Sequence, residues 1–84
     1  MKRSVIAWNH LTVSDVKNII THFSDAETTY RQRVTLDPPH LAELWNTNAT
    51  RVHRLRVFWE TTLPLVEAGE RIDGRVRQFI SHGA

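Results

Sequence analysis

From Ala49 to Glu60 the chain reads ATRVHRLRVFWE, with Arg51, His53, Arg54 and Arg56 close together and no acid until Glu60. Guanidinium groups donate from a planar fork that fits phosphate and carboxylate oxygens alike, so a cluster of this kind suits a negatively charged surface. Asn48 and Thr50 add hydrogen-bonding side chains beside it, and Val57 adds an apolar one. What the cluster does depends on the element that carries it.

Val52, Leu55, Trp59, Leu63 and Val66 recur at the spacing of one helical face, which predicts a helix starting after Asn48. At about 100° per residue, the core stripe centres between Leu55 and Trp59. The opposite arc then holds Ala49, Thr50, His53, Arg54 and Val57, with Arg51 and Arg56 on its flanks. An outward arc of this composition suits a helix lying in the major groove of double-stranded DNA. The arc reads base edges, and the flanking guanidiniums reach the phosphates. Pro64 is expected to end the helix near Thr61, because proline lacks the backbone donor that the next turn needs.

The elements that must brace this helix precede it. Asp37-Pro38-Pro39 predicts a helix start, since aspartate caps well and proline is tolerated in a first turn. That helix carries Leu41, Leu44 and Trp45, and Asn46-Thr47-Asn48 is expected to form a turn after it. Earlier in the chain, Thr12 and Asp15 form a capping-box pattern ahead of Val13, Val16, Ile20 and Phe23, which predicts a helix over about 13–23. Ser24 and Glu27 repeat the start signal, and Glu27 stands four residues before Arg31. This predicts a second helix over 25–34, with an extended segment at 28–36 as the alternative because of its β-branched residues. Residues 1–11 fit either a short helix capped by Ser4 or an arm packed through Trp8. Gly69 and Gly74 break the chain before RVRQFIS, where Val76, Phe79 and Ile80 suit a final short helix.

The stretch LAELWNTNATRVHRL resembles the helix-turn-helix of bacterial and phage DNA-binding proteins. Leu41 and Ala42 match the first helix, Trp45 its apolar end, and Val52 and Leu55 the buried positions of the second. LPLVEAGERI at 63–72 is similar to the segment after the recognition helix in excisionase-like and winged-helix proteins. The resemblance covers about residues 38–72. It implies a small DNA-binding regulator or recombination accessory, with the recognition helix at about 49–60. Asn46 stands where such motifs usually have glycine.

The fold expected is all-α: a small single-domain bundle of four to five short helices over 1–84, with a helix-turn-helix at about 38–60. The DNA-contact set is Asn48, Thr50, Arg51, His53, Arg54, Arg56 and Val57. The alternative function is a protein-interaction module, such as a phage-type inhibitor or adaptor, that binds through Val57, Phe58 and the arginine edges. A homodimer is expected on either account, because 84 residues form a limited core.

Composition narrows the classes further. Residues 1–48 balance five Lys or Arg against five acids, while 49–84 hold six Arg against four, so the net charge of +2 is C-terminal. There is no cysteine, no metal-binding histidine spacing, no glycine-rich phosphate loop and no nucleophile motif. Neither an enzyme nor a cofactor is therefore expected. No apolar run approaches a membrane span, and the first residues lack a secretory pattern, so a soluble cytoplasmic protein is expected.

Overall fold

The computed structural model describes residues 10–82; the segment around Trp8, expected to be a helix or an arm, lies outside them. Among the described residues the chain is entirely helical, with no strand. Three α-helices replace the expected four to five: α1 (Val13–Leu36), α2 (Ala42–Glu67) and α3 (Asp73–Ser81), with a 3-10 turn at Pro39–Leu41 between the first two.

The start of α1 is as expected. Thr12 Oγ1 accepts from the Asp15 N–H at 3.0 Å, and the Asp15 carboxylate accepts from the Thr12 N–H at 2.9 Å. The break expected at Ser24 does not occur. Thr28 and Thr29, which suggested a strand, donate their hydroxyls to the Ser24 and Asp25 carbonyls one turn back, at 3.1 and 3.0 Å. Their polar groups are thus satisfied inside the helix. α1 ends one residue ahead of Pro38-Pro39, where Asp37 is extended (φ −88°, ψ 165°). The first proline imposes this, since its ring clashes with a helical preceding residue. Asp37 therefore closes α1 and does not cap the next helix.

α2 differs most from expectation. Asn46, Thr47 and Asn48 lie within one helix from Ala42 to Glu67, so the turn is not formed and the helix-turn-helix expected over 38–60 is replaced by a single helix. Three mediocre helix formers cost at most about 0.7 kcal/mol each relative to alanine. Against this, the seam Trp45, Ala49, Val52, Arg56, Trp59 runs on at helical spacing, and Ala49 is wholly buried (0% exposed). The wheel placed Ala49 outward; α1 covers it instead, packing against α2 along the hairpin. Pro64 also fails to stop the helix. The bond it cannot donate would go to residue 60, and both residues lie on the exposed face of the helix, where losing that bond costs less than in a buried turn.

α2 ends at a glycine. Gly69 has φ +74°, its N–H donates to the Val66 carbonyl at 3.0 Å, and the Glu70 N–H donates to Leu65 at 2.9 Å. This bond pair, with its left-handed residue, is the Schellman closure. The chain then turns back into α3.

α1 and α2 are each roughly 36–39 Å long by helical rise and run antiparallel. The radius of gyration is 15.3 Å, against about 12 Å for a compact chain of this length. The main core sits at the end of the hairpin that α3 covers: Val16, Phe58, Trp59, Ile72 and Val76, with Ile20, Phe23, Leu63 and Phe79 packed around them. Toward the inter-helix turn, Tyr30 stacks on Trp45 at 5.8 Å between ring centres and Arg33 lies 5.7 Å over the Trp45 ring.

Candidate interaction surface

The outer surface of α2 carries the predicted contact set, and packing divides it. Thr50, Arg51 and Arg54 are exposed, and among the described residues neither arginine makes a salt bridge. Together with Glu43, Asn46 and Thr47 they line a shallow polar hollow. Asn48 is half-buried.

His53 and Arg56 turn toward α1, where Glu27 meets them. The Arg56 Nε donates to Glu27 Oε1 at 3.1 Å, and its Nη1 reaches Glu60 Oε2 at 2.9 Å. His53 Nδ1 lies 3.2 Å from Glu27 Oε2 and 3.0 Å from Arg56 Nη2. It donates to the carboxylate when protonated and accepts from the guanidinium when bare, so one proton decides which contact forms. Arg31 completes the set at 3.0 Å from Glu27 Oε2. Burial pushes the Glu27 carboxyl up, but hydrogen bonds from Arg31, Arg56 and His53 outweigh it and hold the group below its ordinary value. The Arg56 pKa is raised by hydrogen bonds to Glu27 and then Glu60. Arg56 therefore serves the α1–α2 seam, and His53 serves it in part. Glu27 pairs with residues 26 and 29 positions away, for which only its pairing with Arg31 left a local trace.

Val57 and Phe58 separate. Val57 is 39% exposed and Phe58 only 7%, because α3 folds over Phe58 and Phe79 stacks on it at 4.2 Å between ring centres. Beside Val57 a groove runs between α2 and α3, lined by His53, Arg54, Val57, Phe58, Thr61 and Phe79. A second hollow, lined by Phe58, Arg75, Gln78, Phe79 and His82, shares the aromatic pair with it. No acidic side chain lines either hollow among the described residues.

Arg75 is fixed over the groove. Its Nε donates to Thr62 Oγ1 at 2.8 Å and its Nη2 to Thr61 Oγ1 at 2.7 Å, and the guanidinium carbon lies 5.3 Å over the Phe58 ring. Thr62 is completely buried and donates its own hydroxyl to the Phe58 carbonyl at 2.6 Å, so it is satisfied in both roles. No family model, curated protein or solved structure matches this chain.

Thr61, Arg75 and Phe79 were not among the predicted contacts. Each becomes a groove residue only when α3 docks. Among the described residues no three potential ligands converge on a metal position, and no helix is long and apolar enough to cross a membrane.

Proposed function

We propose that this protein is a small helical interaction module that works by docking on another protein, without catalysis. The observation that carries this is the α2–α3 groove. An exposed Val57 adjoins a stacked Phe58–Phe79 pair, and Arg54, which has no carboxylate partner among the described residues, stands at the rim. Interface centres favour aromatic and arginine side chains in this combination, with polar groups around them.

Immobilised protein is expected to capture one partner that survives nuclease treatment and is lost with Val57→Asp. Because Val57 is exposed, this variant should keep its helices. Capture that disappears with nuclease, or that Val57→Asp leaves intact, would refute the proposal.

A second reading, DNA contact, is supported by Thr50, Arg51 and Arg54, exposed along the uninterrupted α2. It is the weaker one. His53 and Arg56 are drawn to Glu27, which leaves Arg51 and Arg54 as cations without a salt bridge among the described residues, on a face that also holds Glu43. Proteins that hold duplex DNA through its backbone make about 6–10 phosphate contacts. Retardation of a DNA duplex at about 50 mM salt would favour this second reading. The homodimer is tested by sedimentation, where a mass of one chain at micromolar concentration would exclude it.

A further inference from the structure

The inference here rests on the interaction-module reading and names the chemistry of the occupant. The groove has an apolar floor and a cationic rim. The floor is Val57 and Phe79 with Phe58 covered beneath them; Arg54 borders the hollow beside Val57, and Arg75 borders the adjoining hollow across the aromatic pair. Hydroxyl acceptors orient Arg75 without neutralising it, and no carboxylate pairs with it among the described residues. The nearby acids are already engaged: Glu27 with Arg31, His53 and Arg56, and Glu60 with Arg56. Asp73, the acid nearest Arg75 in sequence, pairs with Arg71; Arg54 and Arg75 thus have no carboxylate partner among the described residues, and the position of Arg75 is set.

We propose that the α2–α3 groove takes an acidic amphipathic helix of a partner protein. One aliphatic side chain sits on the Val57–Phe79 floor, and flanking carboxylates meet Arg54 and Arg75. Two helices form the walls, so a third laid between them continues the packing of the fold. The two guanidiniums, one beside Val57 and one across the aromatic pair, require negative charge on both sides of an anchor. That pattern belongs to an acidic helix and not to a uniformly charged polymer. Phe58 is too deeply covered to offer its face to a nucleobase.

The test is fluorescence anisotropy with a labelled synthetic peptide that carries leucines at helical spacing and glutamates elsewhere. The comparators are the same peptide with lysine for glutamate, polyglutamate of equal charge, and a DNA duplex. The acidic amphipathic peptide is expected to bind tightest. Arg54→Glu should weaken it by roughly tenfold or more, the scale of one charge-assisted contact. Arg51→Glu, which lines the polar hollow but not the groove, should leave binding unchanged. Both arginines are exposed and, among the described residues, make no salt bridge, so each variant is expected to keep its helices, which circular dichroism checks.

Equal binding of the lysine peptide or of polyglutamate would overturn the proposal, as would equal losses from the two arginine variants or preference for the duplex. If the peptide fails while nuclease-resistant, Val57-dependent capture persists, the occupant is wrong and the module reading stands. If both fail, both are refuted.

Discussion

Replacing Glu27 by glutamine tests the polar clasp between the two long helices. The substitution keeps the shape and one carbonyl acceptor but removes the charge that the Arg31 and Arg56 guanidiniums share and that His53 contacts. The Arg56 contact is the most enclosed, with side chains 22% and 13% exposed, and is worth about 1 kcal/mol as a charge-assisted bond. The Arg31 pair is a solvent-facing i,i+4 contact worth about 0.3–0.5 kcal/mol, and the His53 contact, at 45% exposure, adds a few tenths at most. Allowing for the retained acceptor, the loss comes to about 1.5 kcal/mol, or a fall in Tm of roughly 6–12 °C for a domain of this size. Thermal unfolding followed by far-ultraviolet circular dichroism measures it, with Glu60→Gln as control. Among the described residues Glu60 pairs only with Arg56, and it is 44% exposed, so its loss should cost under about 0.5 kcal/mol. Equal shifts in the two variants, or no shift in Glu27→Gln, would refute the assignment of Glu27 as the shared partner. The pH dependence has a definite sign. The folded-state pKa is depressed, so the contribution is complete above the ordinary value of 4.5 and is lost as pH falls through the folded value. The gap between wild type and variant should close in acid.

Three further outcomes test other parts of the fold. The double change Asn46→Ala, Thr47→Ala should raise stability by about 0.5–1 kcal/mol if both positions are mid-helix and exposed, whereas a tight turn there would make the change destabilising; urea titration reads the sign. Thr62→Val should cost about 1–3 kcal/mol by stranding the Arg75 Nε donor in a part-buried site, with Thr62→Ser retaining more of the stability. Gly69→Ala should destabilise by about 1 kcal/mol despite open space around the position, because its backbone is left-handed.

The helical class was legible because the apolar spacing at 13–23 and 52–66 is strong, and Val16 and Trp59 are buried as that spacing predicts. Helix continuity was not legible. Ser24 and Asn46–Asn48 carry genuine stop signals, but each is worth a fraction of a kcal/mol and loses to a seam that buries Ala49 across two long helices. Pro64 misled for the same reason, since its penalty falls on the exposed face of α2. For the surface, helical periodicity placed Thr50, Arg51 and Arg54 outward correctly. It could not assign His53, Arg56 or Phe58, whose directions depend on Glu27 and α3, partners remote in sequence.

The uneven distribution of buried side chains along the hairpin has a dynamic consequence. Among the described residues, five of the six buried apolar side chains cluster where α3 caps the pair, and Ala49 alone is buried toward the other half. Leu36 and Leu44 stand in solvent there. Opening free energy follows local burial, so the molecule should unzip from the Pro38-Pro39 corner. Backbone amides near residues 36–46 would exchange with deuterium well before those around 58–62. A helical pair held firmly at one end and loosely at the other has a rigid base and a compliant tip.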